Sequence, residues 1–209
     1  MDHTISVGIV GLGLIGGSIA KALKRNKTGF SIVAWDRDEN VLLKAKQEGF
    51  IDDFALEPQK GFESCEVLFL CVPVYAMEDI VRKIAPQLNP SCVMTDVGST
   101  KSDIMDIMAK MKLNSCFIGG HPLAGSEHSG YGASKANLFE NAYYCITPFE
   151  NAPHKNVGLL MHLIEEMGAI PIMMSAAEHD RVTAAISHMP HVMASLIVNT
   201  VKELDGPQG

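Results

Sequence analysis

Arginine is scarce in this chain. Of 209 residues only Arg25, Arg37, Arg82 and Arg181 carry a guanidinium, the planar fork that best grips phosphate and carboxylate. Positive charge is in the minority as a whole, with 17 Lys and Arg against 24 Asp and Glu and a formal charge of −7. A nucleic-acid partner wants a basic face, so this balance argues against one. The five cysteines (65, 71, 92, 116 and 145) are odd in number and show no Cys-x-x-Cys spacing. Four of them lie in or beside apolar runs, as small buried hydrophobes do. No basic, apolar export signal precedes the first predicted strand. No apolar run approaches the roughly 18 residues that a membrane span needs. Internal repeats and low-complexity segments are missing too. These absences leave a soluble protein of a reducing compartment, expected in the cytoplasm, with no membrane and no nucleic-acid partner.

What is present is a regular alternation. The apolar run Ile5–Val10 leads into GLGLIGGS at 11–18 and a predicted helix to about Lys24. Strands are predicted at 31–35, 66–72, 92–95, 116–118, 143–147 and 169–173, with helices at 39–48, 76–85, 101–112, near 134–139 and 155–167. Glu66–Val72 is apolar throughout, as a strand buried on both faces should be. Such alternation predicts an α/β fold, a doubly wound and mostly parallel sheet. In these sheets ligands bind at the carboxyl ends of the strands. The polar and glycine-rich punctuation falls on that rim: glycines 11–17, Asp36, Val72-Pro73, Asp96–Ser99 and Gly120-His121-Pro122.

The last segment, 176–204, differs in kind. It is one long helical pattern interrupted only by Pro190, and it is apolar on nearly every face, so it should be buried nearly all round. The chain divides accordingly into a dinucleotide-binding domain, 1–174, and a long helix, 175–209. That helix is expected to begin a helical dimerisation domain whose remainder is absent, or to form a dimer interface.

Gly11, Gly13 and Gly16 form G-x-G-x-x-G between a predicted strand and a predicted helix. The first glycine permits the tight turn, the second lets a pyrophosphate approach the backbone, and the third lets helix and strand pack closely. The pattern makes the sheet Rossmann-type, and Leu14 and Ile15 open the helix whose N-terminus faces the phosphates. Asp36, twenty positions after Gly16, is placed to accept ribose hydroxyls and to repel a 2′-phosphate, which favours NAD over NADP. Arg37 beside it weighs the other way. Val72 and Pro73 complete the expected cofactor wall.

On the substrate side, Ser99 in DVGSTK would sit beside the nicotinamide. A second reading has Ser99 or Thr100 cap the next helix, with Asp103 completing a capping box. Residues 119–132, GGHPLAGSEHSGYG, hold five glycines, and a loop so rich in glycine more often carries chemistry than holds a fold together. In it His121 can accept a hydroxyl proton as hydride leaves the same carbon. Ser126 and Glu127 either orient a substrate or tie the loop to itself. Ser187, His188, His191, Ser195 and Asn199 make a polar stripe on the long helix, read as a pocket wall. Metal ligation by His188 and His191 with His179-Asp180 is the lesser reading, because no third ligand has convincing spacing. No metal is expected.

Together, GLGLIGGS, DVGSTK, GGHPLAGSEHSG, ENAYYCITP and HDRVTAAISHMPH, in that order, resemble the prephenate dehydrogenase family over essentially the whole chain. The histidine loop and the S-H-x-P-H helix are the more specific motifs. The resemblance implies NAD-dependent oxidative decarboxylation of prephenate to 4-hydroxyphenylpyruvate in tyrosine biosynthesis, in a homodimer. It implies that His121 is the catalytic proton acceptor and that Ser99 bonds the same hydroxyl. Ser126 and Glu127 match the loop lining the pocket, and His191 a substrate-side histidine, with His188 beside it. An arogenate dehydrogenase of the same family is the enzyme alternative, and a non-catalytic NAD-binding module the other. Family members also supply an arginine for a substrate carboxylate from the helical domain. Within this chain only Lys101 and Arg181 are expected near enough to act as counter-cations, so that arginine is expected from a longer chain or a partner chain.

Overall fold

A computed structural model describes residues 4–25 and 29–205, the side chains of 203–205 excepted. Eight strands form one sheet in the order β3-β2-β1-β4-β5-β6-β7-β8. They are β1 (Ile5–Val10), β2 (Phe30–Trp35), β3 (Asp53–Phe54), β4 (Val67–Leu70), β5 (Val93–Asp96), β6 (Phe117–Pro122), β7 (Tyr143–Pro148) and β8 (Ile170–Met173). All pairings are parallel except β6 with β7. Helices α1 (Leu14–Lys24), α2 (Glu39–Gln47), α3 (Val74–Ile84), α4 (Ser102–Lys110) and α5 (His154–Glu166) connect them. Two apolar clusters form the core: one contains Ile9, Ile19, Phe69 and Leu163, the other Leu68, Met77, Val81 and Phe117. β4 is buried at every residue and feeds both clusters, which is why its sequence is continuously apolar rather than alternating. The five cysteines are free thiols.

Three features depart from the sequence reading. The predicted helix near 134–139 is a 3₁₀ turn at Tyr131–Ala133 followed by turns. The strand expected at 116–118 continues through Gly119, Gly120 and His121 to Pro122, so His121 is a strand residue and not part of a loop. Close packing explains the glycines there. A Cβ on Gly119 would stand 2.3 Å from Thr147 Oγ1, and one on Gly120 2.5 Å from the Asp96 carbonyl oxygen. The third departure is the long helix, built as α6 (Ala176–Thr183), a π-helical turn (Ala184–His188) and α7 (Met189–Asp205). Pro190 has no N–H to donate, and the helix widens by one turn just ahead of it. Widened turns of this kind favour functional sites.

Within this single chain α7 is open to solvent: Met189, Val192, Met193, Leu196, Ile197, Val198 and Val201 are all at least half exposed. No helix of the described residues is long and apolar enough to cross a membrane.

Candidate active site

The strand ends place the predicted residues on one rim. At its β1 end, Gly11 follows the strand and the glycine turn leads into α1. Gly16 must be glycine, since a Cβ there would meet the Gly11 carbonyl oxygen at 2.0 Å, whereas a Cβ on Gly13 would meet nothing within 4 Å. No side chain caps α1, so its first N–H groups stay available to an anion. Asp36 ties the turn to β2: its Oδ2 accepts from the Leu12 N–H at 2.7 Å and its Oδ1 from the Asp38 N–H at 2.9 Å. A cleft of about 380 Å³ lies here, lined by Gly11, Gly13, Asp36, Arg37, Val72 and Pro73 among others. Leu14 and Ile15 are half-buried at the start of α1, and Ile15 packs onto the core.

A second cavity, about 350 Å³, opens beyond β5 and β6. Ser99, His121, Thr183, Ser187 and His188 line it with the segment Pro122–Gly125. Ser126 and Glu127 sit outside this lining, on exposed backbone. Ser126 Oγ accepts from the His128 N–H at 3.2 Å, and Glu127 stands 3.6 Å from the His128 ring. The polar stripe divides as well: Ser187 and His188 face the cavity, while His191, Ser195 and Asn199 line a separate groove along α7.

Beneath the cavity lies a buried polar floor centred on Asp96. Asp96 and Lys101 form an ion pair whose side chains are both wholly buried. Asp96 Oδ1 also accepts from the Gly120 N–H at 3.0 Å, and Oδ2 from the Gly98 N–H at 2.8 Å. Burial draws the Lys101 ammonium below its ordinary range, with Asp96 opposing. Lys101 is therefore committed to Asp96 and is no counter-cation for a substrate. Arg181, exposed on α6, is not among the residues lining the cavity.

The cap of α4 also differs from expectation. No side chain of its own segment caps it. Asp180 does so from α6, Oδ1 accepting from Lys101 N–H at 2.8 Å and Oδ2 from Ser102 N–H at 2.9 Å. Ser99 is thereby left exposed at the cavity wall.

His179, wholly buried, links Asp180 to His121. Its Nδ1 is 2.8 Å from Asp180 Oδ1 and its Nε2 2.8 Å from His121 Nδ1. The two rings meet edge-on, with centroids 5.0 Å apart. Partial burial would raise the Asp180 carboxyl, but bonds from Ser102, His179 and Lys101 outweigh it and hold it well below the usual range. Burial pushes the His121 imidazole down, with the adjacent His179, Lys101 and His188 adding to the effect and Asp180 opposing, to about 4. His121 is accordingly neutral at physiological pH and available as a base. In the sequence His179 and Asp180 suggest only metal ligands, and nothing there points to Thr183. The adjacent His-Asp pair about two turns before the helical stripe is the available signal. Among the described residues no three His, Cys, Asp or Glu side chains converge to hold a metal.

Residues 19–173 match the nucleotide-binding domain of prephenate dehydrogenase, and residues 175–208 the dimerization domain. The chain belongs to the prephenate dehydrogenase family. It is 39% identical to the prephenate dehydrogenase of Lactococcus lactis over 193 residues, 91% of this chain and 52% of that protein. The crystal structure of the Aquifex aeolicus prephenate dehydrogenase with hydroxyphenyl propionate and NAD+ superposes with a TM-score of 0.90 at 32% identity, covering 98% of this chain and 72% of that one. Synechocystis arogenate dehydrogenase superposes with a TM-score of 0.86 at 33% identity, covering 97% and 71%. The chain spans about half the length of the curated relatives it matches.

Proposed function

We propose that this prephenate dehydrogenase family chain carries out the NAD-dependent oxidative decarboxylation of prephenate to 4-hydroxyphenylpyruvate, in tyrosine synthesis. The observation that carries the reading is one cavity lined by both Ser99 and a neutral His121, next along the rim from the glycine-turn cleft. The cleft suits the cofactor. Gly13 leaves open the space a Cβ would fill, the α1 N–H groups are free for a pyrophosphate, and each Asp36 oxygen keeps a lone pair for a ribose hydroxyl. The Asp36 carboxylate favours NAD over NADP, and the exposed Arg37 is the counterweight.

When bound, the nicotinamide supplies the hydride acceptor. His121 takes the ring hydroxyl proton while Ser99 holds the same oxygen, so that the C–O bond becomes a carbonyl as the C–H pair departs. Loss of carbon dioxide then sends the electron pair of the broken C–C bond into the ring, and the phenolate so formed takes the proton back from His121; the aromatic phenol drives the reaction forward. Ser187 and His188 form the far wall. We assign Ser126, Glu127 and His191 to substrate approach, since they flank the cavity without lining it. No Lys or Arg lines the cavity among the described residues, so the substrate's two carboxylates depend on cations beyond that lining. We read 1–174 as the cofactor unit and 175–209 as part of a helical domain whose exposed apolar α7 seats a second copy.

Arogenate is the second reading, favoured by the likeness to the Synechocystis arogenate dehydrogenase. Prephenate and arogenate, each offered with NAD and with NADP, test the assignment by the absorbance of reduced nicotinamide. Prephenate with NAD is expected to turn over fastest. Faster arogenate oxidation transfers the assignment to that substrate, and NAD binding with neither substrate oxidised leaves a non-catalytic module.

A further inference from the structure

The hydrogen-bond line beneath His121 has a direction. Asp180 is held as a carboxylate by the N–H groups of Lys101 and Ser102, and a carboxylate only accepts. The proton on the 2.8 Å contact to His179 Nδ1 therefore belongs to the histidine. A neutral His179 protonated at Nδ1 has a bare Nε2. His121 Nδ1, 2.8 Å from that Nε2, must then donate to it. Thr183 Oγ1, at 3.4 Å from the same nitrogen, is a distant competitor. The remaining nitrogen of His121, Nε2, carries the lone pair and is left for the cavity that His121 lines.

We propose that His179 and Asp180 are positioning residues that lock His121 in the Nδ1–H tautomer and hold the imidazolium formed when its Nε2 accepts the substrate proton. The inference rests on His121 being the base of the reaction proposed above. Without the lock, either ring nitrogen could carry the proton, and a ring protonated at Nε2 cannot take another there. The lock also addresses charge. The groups around His121 are His179 and Asp180 from α6, Lys101 ahead of α4, and His188 from the π-helical turn. Lys101 is already matched by Asp96. Asp180 is thus the anion that faces the new imidazolium, through His179. No net proton leaves the line: His121 Nε2 holds the hydroxyl proton until the phenolate takes it back, and each bond below keeps its own.

Two-bond ¹H–¹⁵N correlation spectra of the histidine-labelled 209-residue protein, near neutral pH without ligands, read the tautomer directly. His121 is expected to show a pyrrole-type Nδ1 and a pyridine-type Nε2. In His179→Gln the side-chain carbonyl can accept the same bond, so the pattern should persist. In His179→Leu it should be lost, His121 reverting to the Nε2–H form. A purely structural role for His179 would not separate these two variants by tautomer. A wild-type His121 protonated at Nε2, or a His179→Leu protein with an unchanged His121 pattern, overturns the proposal. Should the leucine variant not fold, the wild-type spectrum alone decides. Because no substrate is used, failure of the turnover assay and failure of the lock are separate results.

Discussion

Two histidines on one continuous helix have opposite surroundings. His179, on α6, is wholly buried and bonded at both ring nitrogens. His191, three residues into α7, is exposed along a shallow groove. The same contrast holds for the apolar residues: the sheet core excludes water, while α7 presents Leu196, Ile197 and Val201 to it. Residue type does not tell the two ends apart. What differs is whether the sheet rim packs against them. Only there is a polar group forced to find a partner, since a buried donor or acceptor left unpaired costs about 1–3 kcal/mol.

That contrast can be broken from the rim downward. His121→Asn should lower turnover of the preferred substrate by roughly 10²–10⁴-fold, the usual scale for a general base, with NAD affinity unchanged by titration calorimetry. Equal loss of NAD binding would make the residue structural. Lys101→Met strands Asp96 as a buried charge. The expected cost is about 3–5 kcal/mol, read as a lower urea midpoint at unchanged m-value. An effect under 1 kcal/mol, the scale of an exposed pair, would mean that water reaches Asp96.

The pH dependence is smaller. An unfolded histidine titrates near 6.5 and native His121 at about 4, so the unfolded chain binds the proton first. Stability from this group is complete above about pH 6.5 and is lost as pH falls toward 4, on the order of 2 kcal/mol given the part of the ring that water reaches. Urea midpoints across that range should show a loss in the wild type that shrinks in His121→Asn. An equal loss in both proteins would assign the pH effect elsewhere. At the exposed end, His191→Ala should change stability by less than about 0.5 kcal/mol. A larger shift that depends on protein concentration would show the residue to be covered by a second copy.

Much of the fold was legible in the sequence because its signals are local. The glycine turn, the apolar run of β4 and the helices α1 to α5 each follow from spacing and punctuation within a few residues. Ala, Lys and Leu favour a helix near 134–139, but six residues are too few to nucleate one alone, and the Lys135 N–H donates to Ser18 Oγ while Ser134 Oγ donates to the Tyr131 carbonyl. In the sequence Gly119 and Gly120 look like flexibility and suggest a loop at His121. In the fold they mark close approach to Thr147 and Asp96. The cap of α4 was sought in Ser99, Thr100 and Asp103, its own neighbours, and came from Asp180, 78 residues from Ser102.

By itself, then, the sequence determined a doubly wound sheet with a dinucleotide-type turn and a histidine on its binding rim, since hydrophobic period, glycine spacing and chain order are properties of neighbours. Only the tertiary structure decided what His121 is bonded to. Its partner, His179, lies 58 residues away, and no local pattern connects them. Packing of α6 against β7 and α4 buries the His179 ring and leaves its two nitrogens to find partners within the fold. The same packing commits Lys101 to Asp96, turning an expected substrate cation into part of the floor.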